Sequence, residues 1–156
     1  MNCSVAQTLE VIGEWWTPLI IRDLMFGVSR FDDFQSRLGI SRNVLTERLA
    51  RLDEQGIVTR EAYQDNPPRY DYRLTEKGAD LWRVMEMMRQ WGDRWAAPEG
   101  SPVELVHRTC GNIAHAELIC SECGEALRQR EITVAEGPGA GTTSALPEWL
   151  RERRSS

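Results

Sequence analysis

The chain of 156 residues and 17.9 kDa is 41% apolar and 28% charged, a balance that supports a folded core and excludes wholesale disorder. Nineteen basic residues against 24 acidic ones give a net charge of −5 and a pI near 5.2, which excludes a generically basic nucleic-acid coat and argues against a membrane-surface protein. No apolar run approaches the roughly 18–20 residues of a membrane-spanning helix. Met1-Asn2-Cys3-Ser4 opens no export signal, so a cytoplasmic location is expected, with the four cysteines as thiols or metal ligands rather than a disulfide framework. The charge is uneven: residues 22–73 hold nine arginines against nine acids, so the acidity lies on either side of them.

Val5, Leu9, Ile12, Trp16, Leu19 and Leu24 recur at helical spacing. Pro18 interrupts them and suits a first helical turn, so two helices are predicted, about 4–13 and 17–26, ended by Gly27. Ser29-Arg30-Phe31-Asp32 has the form of a helix-capping box and predicts a short helix with Phe31, Phe34 and Leu38 inward, closed by Gly39. Ser41 is a good N-cap for a helix over 42–55, with Val44, Leu45, Leu49 and Leu52 inward and Gly56 as its stop. Two such helices joined by a short Gly-containing turn are a helix-turn-helix. Ile57–Tyr63 and Arg69–Leu74 flank Asp65-Asn66-Pro67-Pro68 and read as a hairpin. Thr75 caps a long predicted helix, 75–96. Along it Leu81, Val84, Met88, Trp91 and Trp95 form a narrow seam at coiled-coil spacing, a candidate dimer interface.

With Leu45, Leu49 and Leu52 inward, the outer face of the 42–55 helix shows Ser41, Arg42, Asn43, Thr46, Glu47 and Arg51. Side chains of these types can bond base edges or phosphates, and each can also be an ordinary solvated residue. Arg69, beside the hairpin tip, is placed to reach an adjacent groove.

Residues 97–103 read as a linker, and 104–136 as a small β-rich unit with strands at Glu104–His107, Ala114–Cys120 and Gln129–Glu136. His107-x-x-Cys110-Gly111 and Cys120-x-x-Cys123-Gly124 are two knuckle-like turns with nine residues between them. That spacing suits four ligands of one structural Zn²⁺ in a zinc-ribbon-like unit. A unit this small is poorly able to support a core alone. Free thiols and a redox-labile Cys120–Cys123 pair are the competing readings. No internal repeat is predicted, and the tail 137–156 reads as disordered. The domains are therefore expected at 1–97, 104–136 and 137–156, giving a mainly α winged helix-turn-helix with a small β wing plus the zinc-ribbon-like unit. No nucleophile–base pair, phosphate loop or carboxylate constellation suggests an enzyme.

Cys3-Ser4-Val5, Val11-Ile12-Gly13-Glu14-Trp15-Trp16, Arg30-Phe31, Ile40-Ser41, Leu45-Thr46-Glu47-Arg48-Leu49, Pro67-Pro68-Arg69-Tyr70-Asp71-Tyr72, Leu74-Thr75-Glu76-Lys77-Gly78 and Trp91-Gly92 occur in an order that resembles the HxlR-type transcriptional regulators of bacteria. Gly13-Glu14-Trp15-Trp16 departs from the usual Gly-Gly-Lys-Trp of that family. The resemblance implies a homodimeric winged-helix regulator on a two-half-site DNA operator, dimerised through its first and long helices. It also implies that Cys3, at the start of the first helix, is a candidate sensor of oxidants or electrophiles. A protein–protein or RNA-binding adaptor is the alternative reading.

Overall fold

The computed structural model describes residues 3–139, which form two compact units. Thr8–Glu104 is the larger. Its elements run α1 (Ser4–Ile12, begun in the other unit), α2 (Trp16–Met25), α3 (Phe31–Leu38), α4 (Arg42–Glu54), β1 (Val58–Asp65), β2 (Pro68–Leu74), α5 (Glu76–Asp80) and α6 (Trp82–Trp95). The hairpin and the first four predicted helices are present, with boundaries moved by a residue or two, and the predicted long helix is divided into α5 and α6.

Three local readings change. The apolar stripe of the first two helices is not one buried face: Val5 and Leu9 are exposed, while Thr17, Ile20, Ile21 and Leu24 turn inward. Ser29 does not cap α3. Arg30 occupies that position without a side-chain cap, and Ser29 Oγ instead donates to Asp71 on β2 at 3.1 Å. The predicted 75–96 helix is broken at Leu81, where Leu81 N–H donates to the Gly78 carbonyl in a tighter turn.

The core joins Ile20, Ile21 and Leu24 of α2, Phe34 of α3, Ile40, and Leu45, Leu49 and Leu52 of α4 to Ile57, Val58 and Tyr72 at the base of the wing. β1 and β2 pair antiparallel from Val58↔Leu74 to Asp65↔Pro68, with an irregularity between Ala62 and Gln64. The tip contains a cis Asn66–Pro67 peptide. Among the described residues two carboxylates are buried. Asp23 is fully enclosed and bonded by Arg22 at 2.7 Å and Arg37 at 3.3 Å. Glu86 accepts from Arg89 at 2.8 Å and from Gln90 at 2.9 Å, and the Glu86 carboxylate holds the Arg89 guanidinium above its ordinary pKa. Paired in this way, neither carboxylate is a lone buried charge.

A clasp fixes the wing to the helices. Thr75 Oγ1 donates to the Gly56 carbonyl at 2.7 Å and accepts from Gly78 N–H at 3.1 Å, so one hydroxyl ends α4 and starts α5. Lys77 Nζ donates to the Gln55 carbonyl at 2.7 Å. Gly78 is buried, and a Cβ there would lie 2.1 Å from the Ile57 carbonyl oxygen.

Residues 105–139 belong, with residues 3–7, to the other unit. Here the predicted strands do not form. The segment has only the isolated bridges Val106↔Ile113 and Ile119↔Ala126, and a 3₁₀ turn over Gln129–Glu131. Each hairpin turns back too soon for a ladder. Most of the predicted 137–156 tail lies outside the described residues.

Gly78→Ala is expected to cost about 2–4 kcal/mol of stability, because its Cβ meets backbone rather than a movable side chain. Gly92, in α6, has nothing within 4 Å of such a Cβ, so Gly92→Ala is expected to be neutral or stabilising by up to about 1 kcal/mol. Urea unfolding of the two variants separates them.

Candidate nucleic-acid interface

The face of α4 opposite Leu45, Leu49 and Leu52 is set by their burial. Ser41, Arg42, Asn43, Thr46, Glu47 and Arg51 are all exposed on it. Ser41 Oγ caps the helix by accepting from Val44 N–H at 3.4 Å, and Thr46 Oγ1 donates back to the Arg42 carbonyl at 2.8 Å. Arg51 is drawn to α1, where its Nη2 donates to the Glu10 carbonyl at 2.8 Å. Arg48 is mostly buried, with its Nη2 3.5 Å from Glu14 and 3.6 Å from Glu47. Glu14 is one of the two residues, with Trp15, that depart from the pattern of the resembled family.

Arg42 stacks on Phe31 with 5.0 Å to the ring centroid. Its Nη1 lies 3.4 Å from Asp32 and 3.2 Å from Gln35, both on α3. Arg69 stands on β2, paired with Gln64, and its Nη1 is 3.8 Å from the other oxygen of Asp32. Between α4 and the wing lies an open cleft of about 400 Å³ whose lining includes Asp32, Arg42, Thr46, Arg60, Tyr63 and Arg69.

Asp32, Gln35, Arg60 and Tyr63 were not singled out by the sequence reading. Arg60 stacks on Tyr70, Arg30 stacks on Tyr63, and Arg60 lies opposite Tyr72 in the hairpin register. The only available signal was the alternation of arginine and tyrosine along two adjacent strands, and it acquires meaning only once the register is known. The wing is anchored at its base: Tyr72 N–H donates to the Ser29 carbonyl at 2.8 Å, and Arg30 is 3.5 Å from Asp71.

The seam on α6 is largely open. Trp91 and Trp95 are each about two-thirds exposed (65% and 66%), and Met88 is half exposed. Val84 is also exposed, while Leu81 packs partly against the core.

In the other unit the two cysteine turns are superimposable in their bonding. His107 N–H donates to the Asn112 carbonyl and Gly111 N–H to the His107 carbonyl; thirteen residues on, Cys120 N–H donates to Glu125 and Gly124 N–H to Cys120. The flanking pairs Ala114–Leu105 and Leu127–Leu118 repeat at the same interval. This is an internal repeat that the sequence reading did not find, because the matching residues are mostly different and only Leu105/Leu118 and the Cys-Gly steps coincide. Both glycines have positive φ, 72° and 75°, as the turn requires. His107 Nδ1 and Cys110 Sγ are 3.4 Å apart. In the other turn the N–H groups of Cys123 and Glu122, then the Cys123 thiol, hold the Cys120 thiol below its ordinary pKa. Each turn thus assembles a pair, but among the described residues no group of three or more His, Cys, Asp or Glu side chains converges on a common point. Cys3 stands at the start of α1, half-buried, with its carbonyl accepting from Gln7 N–H.

A buried-faced second helix, a short glycine turn before it and a two-stranded hairpin after it define a winged helix-turn-helix protein. The HxlR-like helix-turn-helix family model matches residues 11–100. A helix-turn-helix-type transcriptional regulator of Mycobacterium tuberculosis, Rv3095, is 46% identical over 137 residues, which is 87% of each chain. The crystal structure of PA1607 matches at a TM-score of 0.77 and 35% identity, over 87% of this chain and 96% of that one. The reduced form of the redox regulator HypR matches at a TM-score of 0.57 and 34% identity, over 61% of this chain and 95% of HypR. The chain belongs to the HxlR-like helix-turn-helix family and is a DNA-binding transcription regulator, not an enzyme. Among the described residues no helix is long and apolar enough to cross a membrane.

Proposed function

We propose that the protein acts as a homodimer on an operator with two half-sites. In this reading α4 enters the major groove with Arg42, Asn43 and Thr46 toward the bases, and Arg69 of the wing meets the adjacent backbone. The observation that carries it is the division of α4: three leucines are locked into the core, which leaves a polar face rich in hydrogen-bonding side chains beside a cleft lined by arginines. The homodimer is supported by α6, whose two outer tryptophans and Met88 are too apolar to remain in water. A second copy of the same helix would cover them around a two-fold axis.

The 104–136 segment is a zinc-ribbon-like unit in the same reading, with His107, Cys110, Cys120 and Cys123 as ligands of one structural Zn²⁺. Support comes from the repeated turn and from the absence of a core: no described residue of 105–139 is buried. Val106, Ile113, Leu118 and Ile119 are all more than half exposed. Metal binding would draw the two preformed pairs together, and its free energy is then folding free energy. Cys3 is the candidate sensor, a role supported by the likeness to the redox regulator HypR.

On a duplex identified by footprinting the DNA upstream of its own gene, Arg42→Ala and Asn43→Ala are each expected to cost about 1–3 kcal/mol. Arg69→Ala is expected to weaken binding to all sequences alike and to flatten the salt dependence. Unchanged affinity in all three variants would remove α4 from the interface. A double change, Val84→Asp with Met88→Asp, is expected to give monomers by sedimentation, with weak DNA binding; a wild type that is already monomeric at micromolar concentration defeats the dimer. Elemental analysis is expected to find one zinc per chain, and Cys120→Ser to lose it and open 104–136 to proteolysis while Thr8–Glu104 stays folded. In the same preparations diamide is expected to release the wild type from DNA, but not Cys3→Ser, with zinc retained in both. Metal-free protein with a protease-resistant C-terminal segment contradicts the zinc reading.

A further inference from the structure

Asp32 stands between the two arginines assigned to DNA. One carboxylate oxygen is 3.4 Å from Arg42 Nη1 on α4, and the other is 3.8 Å from Arg69 Nη1 on β2. Among the described residues no other carboxylate lines the cleft, whose remaining charged groups are Arg42, Arg60 and Arg69. Arg60 is occupied separately, 3.2 Å from Asp53. A carboxylate and a phosphodiester present the same kind of anionic oxygen to a guanidinium. We propose that Asp32 is an internal competitor for DNA, occupying Arg42 and Arg69 in the free protein so that the acceptor oxygens of the DNA, backbone and base edge alike, must displace it from both.

The consequence is a uniform handicap on DNA binding. On a random sequence the two arginines can only exchange one anion for another, and Asp32 stays in the cleft as a negative charge facing the backbone. On the operator, contacts to base edges are added to the exchange and offset it. All three side chains are at least half exposed, so each contact is weak and the barrier to displacement is small. Asp32 therefore lowers affinity for every DNA by a similar factor, and the operator, with its added base contacts, is what stays bound. It also accounts for how a chain of net charge −5 can keep a DNA-facing cleft that is basic without being indiscriminately so. Asp33 is the natural control. It is the neighbouring acid in the first turn of α3, and it lines a different depression, with Phe26, Gly27 and Arg37. Replacing either aspartate removes one charge and one favourable first-turn carboxylate, but only Asp32 touches the two arginines.

The inference rests on the proposed reading of α4 and the wing, and the experiment separates the two. Full-length wild type, Asp32→Asn, Asp33→Asn, Arg42→Ala and Arg69→Ala are titrated with a mixed-sequence duplex of about 30 base pairs, long enough for two half-sites a turn apart, and with a duplex selected by the wild type from random DNA. Thermal melting of each variant confirms folding. Asp32→Asn is expected to bind the mixed duplex about three- to tenfold more tightly than Asp33→Asn does, to gain by a similar factor on the selected duplex, and to steepen the logarithmic salt slope by roughly one. If Asp32→Asn and Asp33→Asn behave alike while the arginine variants lose affinity, the competitor role is wrong and the interface stands. If Asp32→Asn weakens the selected duplex, Asp32 aligns Arg42 rather than competing for it, and the inference is again overturned. If neither arginine variant changes binding to either duplex, the interface reading fails, and with it the competitor.

Discussion

Leu45, Leu49 and Leu52 leave α4 no rotational freedom. Their side chains are at most 1% exposed, and burying each contributes roughly 1.5–3 kcal/mol. A rotation that moved one of them out would also push a polar residue in, without a partner. The helix therefore has one orientation, and its outward face is a consequence of its inward one. The rest of the unit reinforces that choice. Ser41 fixes where the helix starts, Gly56 ends it with positive φ, and the Thr75 hydroxyl holds its last turn to the start of α5. The proposed base-reading side chains need to be held to within a fraction of an ångström, and the hydrophobic core supplies that rigidity.

Charge is managed by pairing rather than by excess. Most of the arginines between positions 22 and 73 have an acidic neighbour: Arg22 and Arg37 share Asp23, Arg30 meets Asp71, Arg48 meets Glu14 and Glu47, Arg60 meets Asp53, and Arg42 and Arg69 share Asp32. The pairs differ in what they can release. Asp23 is sealed, so its two arginines are structural. Asp32 is open to water, so its two can exchange partners at low cost. The same residue types thus serve the core in one place and an open, exchangeable surface in another, and burial decides which.

Much of this was legible in the sequence where one local signal dominated. The cap at Ser41, the glycine stops and the proline turn of the wing each placed an element boundary, because the competing conformations there are few. The errors fell where a second, distant group wins. Ser29-Arg30-Phe31-Asp32 has every residue of a capping box, yet Asp71, 42 positions away, takes the Ser29 hydroxyl. The buried face of α2 could not be phased, because Trp16, Leu19, Ile20, Ile21 and Leu24 surround the helix and only packing selects among them. The 13-residue repeat of the cysteine turns was hidden for the opposite reason. It is a repeat of backbone bonds, and little in its side chains must recur beyond Cys-Gly.

The two units also differ in the origin of their order. Thr8–Glu104 closes on twelve buried apolar side chains drawn from its helices and both strands, so no single ligand is needed to keep it folded. The 105–139 segment has paired backbone but no buried side chain. Short hairpins of this kind are marginal in water on their own. Their backbone bonds replace bonds to water at a small net gain, and apolar burial contributes almost nothing. The order of this segment is therefore carried by backbone hydrogen bonds, whereas that of α4 is carried by buried leucines.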